Sequence, residues 1–208
     1  MKSVLFVIAS EGFQIVEYET PKAVLEKAGV RVVTVSDVGG EAVASNGKKV
    51  KVDLTIGDLD AKPDLSLALP SAEGREKLLQ DYDGLFIVGG EGALGHLDNE
   101  TTYKLLQEWP DFVRLGRTTP GRAYGAICIS TRILAHAGVL QGKKATGWNG
   151  DGELGGILSA GGAEFVDKPV VVDGNVVTGN GPGAAGEWGE EIVKILNKNT
   201  EISKLGYN

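Results

Sequence analysis

The chain has 208 residues, of which 28 are acidic and 21 are basic, so its formal net charge is −7. This acidic balance, without any basic run, argues against a nucleic acid or an anionic membrane as a partner. The single cysteine excludes an intrachain disulfide, and the apolar stretch at 4–9 is too short for a signal peptide or a membrane span. We therefore expect a cytoplasmic protein that forms one domain over 1–208.

Strands and helices alternate in the first part of the sequence. A continuous apolar run predicts a strand at 3–9, and helical spacing follows until Gly29. A second buried strand is predicted at 30–35, and alternating residues over 42–54 predict a small β-hairpin with one face in water. Over 58–80 the periodicity fails, which we interpret as a surface insertion with a short helix near its end.

The second half repeats the strand-then-helix pattern. An apolar strand at 84–88 precedes a helical pattern at 99–115. A further apolar run at 123–127 leads into a helix at 130–137. Short strands near 144–146, 164–166, 170–173 and 175–178 precede a final helix at 183–197.

Strands that are apolar on both faces and alternate with helices predict an α/β fold, with a doubly wound, mostly parallel sheet flanked by helices. In such sheets, ligands bind beyond the carboxyl ends of the strands. Three features of the sequence fall at those ends: the segment 10–17, the pair Gly89-Gly90, and Cys128. The candidate site is expected where these three meet.

Cys128 is the first candidate for chemistry. It lies at a strand-to-helix turn, which exposes a nucleophile at the sheet edge. There a helix N-terminus favours the thiolate, and the next backbone N–H faces an oxyanion. The alternative is a small apolar filler at the end of a core strand, because free cysteine is among the most buried residue types. Because Cys128, Gly89-Gly90 and the segment 10–17 are all expected at the same edge of the sheet, the functional interpretation is favoured.

Three segments carry a family resemblance: 126–146 with its cysteine, 83–90 with its double glycine, and 178–185 before the last helix. Together they resemble the DJ-1/PfpI superfamily, and the first is similar to the cysteine elbow of that family and the strand that follows it. Glu17, four residues before Pro21, matches the buried glutamate of the family. The resemblance spans the chain apart from 58–80.

The resemblance implies a flavodoxin-like fold and a nucleophilic Cys128 that is hydrogen-bonded by a protonated Glu17. A carboxylic acid kept neutral by burial donates to a thiolate and favours the ionised sulfur. The backbone N–H groups of Gly90 and Ile129 would form the oxyanion site. Without the resemblance, Glu17 would be interpreted as a solvated helix carboxylate and the double glycine as a tight turn.

Some positions depart from the family pattern. Ile129 stands where protease-like members have a histidine directly after the cysteine, so a cysteine–histidine pair is missing. Trp148 stands where many members place histidine or tyrosine, and an indole does not shuttle protons. Ser130 and Thr131 replace a common glycine-proline pair, which predicts added hydroxyl groups at the mouth of the site.

The sequence contains two histidines, His96 and His136. His136 lies about 12 Å along the predicted helix from Cys128, at about 1.5 Å per residue, and is expected to be structural. His96 follows the double glycine at the same sheet edge. It is either an accessory residue, from its own chain or a neighbouring subunit, or a surface histidine. With so few ligands and no nucleotide fingerprint, we expect neither a metal nor another cofactor.

Three functions are open at this point. The first is a cofactor-independent enzyme of the glyoxalase III or deglycase type, converting for example methylglyoxal to lactate, in which Cys128 attacks a reactive aldehyde and Glu17 moves protons. The second is a protective redox sensor with an oxidisable Cys128. The third is an intracellular hydrolase of peptides, amides or isonitriles. The first is favoured, with a small carbonyl substrate, and the resemblance implies a homo-oligomer, a dimer or larger.

Overall fold

The computed structural model describes residues 1–60, 79, 81–111 and 122–204. The strands in these ranges are β1 (Ser3–Ile8), β2 (Glu11–Phe13), β3 (Arg31–Ser36), β4 (Glu41–Ala44), β5 (Lys49–Lys51), β6 (Leu54–Thr55), β7 (Gly84–Ile87), β8 (Ala123–Ile127), β9 (Lys144–Ala145), β10 (Glu164–Phe165), β11 (Val170–Asp173) and β12 (Val176–Gly179). The helices with described bounds are α1 (Ile15–Lys27), α2 (Ile56–Asp60), α3 (Ala93–Leu97), α4 (Glu100–Asp111), α5 (Thr131–His136), α6 (Leu154–Ala160) and α7 (Ala185–Lys204). Short 3₁₀ turns at Cys128–Ser130 and Pro182–Ala184 precede α5 and α7.

The central sheet has seven strands in the order β11-β12-β8-β7-β1-β3-β6. All neighbouring strands are parallel except β11 and β12, which are antiparallel. The inner strands β7 and β8 are buried throughout, as expected for a parallel sheet that is covered on both faces. The predicted α/β fold, a mostly parallel sheet flanked by helices, is confirmed.

Close packing against the sheet holds α1 in place. Helix α1 contacts α7, and Gly189 permits their approach, because a side chain there would lie 2.8 Å from the Cα atom of Pro21. Beneath these helices, the rings of Phe86 and Trp188 pack edge to face at 5.7 Å, and Phe6 lies 6.1 Å from Phe86. Such aromatic pairs add to the stability gained from burial alone. The first turn of α1 is therefore fixed relative to the carboxyl edge of the sheet.

The sequence pattern missed five short elements, β2, β6, α2, α3 and α6. The predicted hairpin at 42–54 is wrong in its second half. The antiparallel pair of β4 and β5 ends at Lys51, and Leu54–Thr55 pairs instead with β3 in the central sheet. Strand β2 extends the hairpin to three strands, in the order β2-β4-β5. Elements of two to seven residues are too short to show a clear hydrophobic period.

The predicted insertion at 58–80 falls mostly outside the described residues. Its first residues belong to α2, and Leu79 is buried. The short helix near the end of the insertion lies outside the described ranges, and the assignment of 1–208 to one domain stays a prediction. Among the described helices, none combines the length and the apolar character that a membrane span requires.

Candidate active site

Cys128 lies at the turn between β8 and α5. All five residues of β8 are buried, and the chain leaves the strand through the 3₁₀ turn Cys128–Ser130. Cys128 has a φ of 63°, and it is the only non-glycine residue with a positive φ in the described ranges. A side chain in this left-handed region is strained, and strain of this kind is typical of functional turns. The turn has the strand-to-helix geometry that the sequence predicts, while the role of Cys128 as a nucleophile stays a prediction.

Two backbone N–H groups lie at the sulfur, those of Ile129 and Gly90. Gly90 comes from the loop after β7 and has a φ of 124°. A β-carbon at this position would overlap the carbonyl oxygen of Gly12, so only glycine lets the loop approach this closely. Both N–H groups favour negative charge on the sulfur. The structure thus places the two predicted backbone donors beside Cys128, while their catalytic role stays a prediction.

Glu17 faces the thiol from the first turn of α1. Gln14 begins this helix, and its side chain accepts a hydrogen bond from the N–H of Val16 at 3.3 Å. Glu17 is fully buried, and neither of its carboxyl oxygens has a hydrogen bond of good geometry to another described residue. Gly89 makes room for the pair. A β-carbon there would lie 2.5 Å from Glu17 Oε2 and 2.6 Å from the Cβ of Cys128. The carboxyl group and the cysteine are therefore close neighbours.

Burial dominates the ionisation of this pair. It raises the pKa of Glu17 from 4.5 to about 7, and the Cys128 thiol and the Gly89 N–H oppose this rise only in part. Burial and the adjacent Glu17 carboxylate raise the pKa of Cys128 to about 12. Whether the sulfur is ionised, as the elbow and the resemblance predict, therefore depends on which partner holds the proton. Because two negative charges are disfavoured in this space, the pair retains one proton above pH 7, and either partner can hold it.

A pocket of about 380 Å³ opens over the sulfur. This volume is typical of small-molecule sites. Most of the wall is apolar, with few polar groups. The lining residues are Gln14, Glu17, Gly90, Glu91, Leu94, Cys128, Ile129, Trp148 and Pro182.

Residues 2–195 match the family described as the DJ-1/PfpI family. The chain belongs to the DJ-1/PfpI family. An uncharacterized protein of Methanocaldococcus jannaschii is 37% identical over 198 residues, which cover 95% of this chain and 84% of that protein. An uncharacterized protein of Staphylococcus aureus is 33% identical over 196 residues, which cover 94% of this chain and 98% of that protein. These relatives support the family and leave the reaction open.

Solved structures of DJ-1/PfpI proteins have the same fold. A ThiJ/PfpI domain protein from Brachyspira murdochii superposes with a TM-score of 0.75 at 24% identity, covering 94% of this chain and 96% of that one. DJ-1beta of Drosophila melanogaster superposes with a TM-score of 0.71 at 25% identity, covering 98% of this chain and 96% of that one. The family and the fold predicted from the sequence are thus confirmed.

Trp148 is a wall of the pocket in this DJ-1/PfpI protein. Its side chain is 39% exposed, and its backbone N–H donates to the carbonyl oxygen of Cys128 at 3.1 Å. The guanidinium of Arg132 lies over the ring, 5.5 Å from its centroid. Arg132 is buried, and its Nη2 donates to both carboxylate oxygens of Asp151 at 2.7 Å. The predicted accessory position is therefore filled by a held aromatic ring that does not transfer protons.

Ser130 does not contribute a hydroxyl to the mouth of the site, so that prediction is wrong. Its side chain is fully buried, and its Oγ donates to the carbonyl oxygen of Val88 at 2.8 Å. Thr131 is buried as well. The 3₁₀ turn after Cys128 directs both hydroxyl groups into the protein, where the Ser130 bond joins the elbow to the end of β7.

His96 lies at the expected edge of the sheet but belongs to a separate cluster, and it is absent from the pocket lining. Its Nδ1 lies 2.9 Å from Asp37 Oδ2 and 3.1 Å from Ser10 Oγ. Ser10 also donates to Asp37 directly. Because the serine and the aspartate meet the same ring nitrogen, the imidazole does not bridge them as it would in a catalytic triad. Of the alternatives open for His96, the geometry within its own chain therefore favours a histidine outside the Cys128 pocket.

His136 pairs with Asp98, its Nδ1 lying 2.9 Å from Oδ2. Tyr103 donates a second hydrogen bond to the same carboxylate. This arrangement joins α5 to the start of α4. Within the described ranges, no group of three or more His, Cys, Asp or Glu side chains is placed to hold a metal ion.

Sequence reasoning missed several residues that shape the site. Gln14, Glu91, Leu94 and Pro182 line the pocket, although no motif singled them out. Their positions after strand ends were the available signal, since parallel strands bring such loops together. Arg132 was missed too. Arg132 lies in the first turn of the predicted helix and four residues after Cys128, and residues four apart in a helical stretch lie on the same side, so it could have been placed near the elbow.

Proposed function

We propose that this protein is a cofactor-independent enzyme that converts 2-oxoaldehydes, such as methylglyoxal, into 2-hydroxy acids. One observation carries the proposal. Burial raises the pKa of Glu17 to about 7, beside the thiol of a strained elbow in a small-molecule pocket. An acid–base group works best when its pKa lies near the working pH. Family membership supports a cysteine-centred site but does not identify the reaction.

The first step is addition of Cys128 to the aldehyde. With the shared proton on Glu17, the sulfur is a thiolate and the nucleophile. A carbon–sulfur bond forms as the electron pair of the C=O double bond moves to oxygen, and that oxygen takes the proton from Glu17. The product is a hemithioacetal beside a Glu17 carboxylate. Before the addition, the N–H groups of Gly90 and Ile129 stabilise the negative charge of the Cys128 thiolate.

The second step is an internal redox isomerisation. The Glu17 carboxylate removes the hydrogen of the former aldehyde carbon as a proton and returns it to the neighbouring carbonyl carbon. The hydroxyl proton passes from the first oxygen to the second. The aldehyde carbon is oxidised by two electrons and the ketone carbon is reduced by two, so no external oxidant is required. The product is a thioester of the 2-hydroxy acid on Cys128.

The third step is hydrolysis of the thioester. Glu17 takes a proton from water, hydroxide adds to the acyl carbon, and the carbon–sulfur bond breaks. The departing sulfur and Glu17 then share one proton again. The balance is one oxoaldehyde plus one water to one hydroxy acid. In this scheme Glu17 alone moves protons in all three steps, because Ile129 and Trp148, which stand where family members place histidine or tyrosine, have no group that titrates near neutral pH.

The test is methylglyoxal consumption with lactate formation by the purified protein. We expect Cys128→Ser and Glu17→Gln each to lower kcat/KM by at least about 100-fold, the range typical for loss of an acid–base group or nucleophile. His136→Asn is the matched control, because its imidazole pairs with Asp98 outside the pocket, and its activity should stay near wild type. Unchanged turnover in Cys128→Ser would exclude the mechanism.

Redox sensing is a second candidate, supported by the placement of the thiol. Cys128 is partly exposed, and the oxygens of a sulfinate would have Glu17 and two backbone N–H groups as neighbours. Peroxide treatment followed by intact-mass analysis distinguishes the two functions. Rapid addition of two oxygens without aldehyde turnover favours the sensor. Turnover with slow oxidation favours the enzyme. The family's hydrolase activities have weaker support, because the described residues offer the sulfur no histidine partner.

A further inference from the structure

The walls of the Cys128 pocket are suited to an apolar substituent. Leu94, Ile129, Trp148 and Pro182 line it around the sulfur, and the total volume is about 380 Å³. A three-carbon oxoaldehyde would leave most of this space to water. A larger apolar group would displace that water and bury apolar surface on both sides, which is favourable in proportion to the area removed from water.

The charges around the same pocket disfavour anions. Besides the thiol, the ionisable lining residues in the described part of the chain are Glu17 and Glu91, both of them acids. No lysine, arginine or histidine lines the pocket there. An anionic reactant would meet the shared negative charge of the Glu17–Cys128 pair and the Glu91 carboxylate. No described lining residue is cationic, and the Arg132 guanidinium beside Trp148 is paired with Asp151.

Trp148 has close neighbours on its ring, although it is partly exposed. Arg132 lies over its ring at 5.5 Å, and Asp151 fixes the guanidinium with two hydrogen bonds of 2.7 Å. Beside the ring, Gly150 has no side chain, and a β-carbon there would lie 2.5 Å from Cζ2 of the indole. A ring confined by these neighbours has little conformational freedom to lose when a ligand packs against it. It forms a preorganised flat surface at the opening of the pocket.

From these three observations we infer that the pocket selects neutral reactants with an aryl or branched alkyl substituent over small or anionic ones, and that Trp148 determines this selectivity. For carbonyl substrates, the inference rests on the proposed function and predicts that aryl oxoaldehydes are better substrates than methylglyoxal. Arg132 and Asp151 are positioning residues that act through Trp148.

Alkylation of Cys128 tests the pocket without requiring turnover. The reagents are iodoacetamide, its N-phenyl derivative and the anion iodoacetate, and the reference thiol is glutathione. Cys128 is the only cysteine, so intact mass reports its modification alone. Relative to glutathione, we expect the phenyl reagent to react at least about 10-fold faster than iodoacetamide, as apolar pocket contacts typically provide. Iodoacetate should react at least about 10-fold slower.

Variants of Trp148 test whether this residue causes the preference for the phenyl reagent. Trp148→Ala should reduce the preference for the phenyl reagent to within about 3-fold of the glutathione ratio, and Trp148→Phe should restore most of it. Because Trp148 is 39% exposed, both variants are expected to fold. Wild-type ratios equal to those of glutathione would overturn the inference. Unchanged selectivity in Trp148→Ala would overturn the role of the tryptophan.

Turnover of phenylglyoxal and methylglyoxal separates this inference from the proposed function. A phenylglyoxal kcat/KM at least about 10-fold higher supports both. If neither compound is consumed but the alkylation order holds, the proposed function fails and the inference about the pocket stands. If both compounds are consumed equally well, the function stands and the inference is overturned.

Discussion

Two carboxyl groups at the same sheet edge have opposite environments. Asp37, after β3, accepts hydrogen bonds from the N–H and Oγ of Ser10 and from Ser36 Oγ, and its Oδ2 lies 2.9 Å from Nδ1 of His96. Glu17, in the pocket, is buried without a hydrogen bond of good geometry to a described residue. Burial acts on both groups in the same direction, so the number of donors decides the outcome.

The consequence is a division of roles. For Asp37, the bonds from His96 and Ser10 outweigh the effect of burial and hold the pKa below its ordinary value. This carboxylate is a fixed negative charge that joins α3 to the ends of β1 and β3. For Glu17, burial outweighs the lowering effect of the neighbouring Cys128 thiol and Gly89 N–H and raises the pKa to about 7. A carboxyl group that keeps its proton near neutrality is available for proton transfer.

The largest expected effect is on turnover. Glu17→Gln should lower kcat/KM for methylglyoxal by at least about 100-fold, whereas Asp37→Asn should change it by less than about 3-fold, because only Glu17 contacts the reacting sulfur. Parallel steady-state kinetics of the two variants check this. Equal losses in both variants would show that the two carboxyl groups do not divide their roles as proposed.

The second effect is on stability and depends on pH. Below pH 4.5 the Glu17 carboxyl is protonated in the folded and unfolded states. Between 4.5 and about 7 only the unfolded state ionises, so stability falls as pH rises, and above 7 the penalty is complete. At about 1.4 kcal/mol per pKa unit, Glu17→Gln should raise the free energy of unfolding at pH 8 by an amount of order 3 kcal/mol.

Urea unfolding at pH 4, 6 and 8 measures this difference, which should disappear at pH 4. Glu26→Gln is the control, because this glutamate lies on the same helix but is exposed. A constant difference between Glu17→Gln and wild type at all three values would contradict the raised pKa of Glu17.

A third test compares two glycines, Gly89 beside Glu17 in the pocket and Gly95 on the helix of the Asp37–His96 cluster. Gly89→Ala would force a β-carbon to within 2.5 Å of Glu17 Oε2, so it should destabilise the protein by about 1–3 kcal/mol and slow the alkylation of Cys128. Gly95, on the helix that carries His96, has open space around it, and Gly95→Ala should be neutral or stabilising by up to about 1 kcal/mol. Thermal unfolding measures both, and a stable, reactive Gly89→Ala would refute the tight contact.

The smallest expected effect is the stability contribution of Asp37. Because its folded pKa is lowered, its contribution is present above the ordinary pKa and is lost as pH falls through the folded value. Asp37→Asn should cost about 1–2 kcal/mol at pH 7, since charge-assisted hydrogen bonds become neutral ones. The cost should vanish in acid. A variant as stable as wild type at pH 7 would show that the cluster contributes no stability.

The elbow was predictable from sequence, and the division of roles was not. An apolar run followed directly by helical spacing located Cys128, and the family pattern, more than local sequence, selected Glu17. The direction of the Ser130 hydroxyl depends on the geometry of a three-residue turn, which composition does not encode. The contact of Asp37 with His96 joins residues 59 positions apart through two strand ends and a short helix. Such contacts follow from the loop geometry of the folded sheet.

The most direct test of the shared proton is the pH dependence of Cys128 alkylation by iodoacetamide in wild type and in Glu17→Gln. The first proton leaves the pair near pH 7, and from then on a fraction of the pair has the remaining proton on Glu17 and a thiolate on Cys128, so the wild-type rate should rise with a midpoint near 7. Without the carboxyl group, burial is opposed only by the N–H groups of Ile129 and Gly90, and because burial is the largest effect on the thiol, the midpoint in Glu17→Gln should lie above the ordinary cysteine value of 9.0. Identical midpoints in the two proteins would contradict the account, because the thiol would then ionise independently of Glu17.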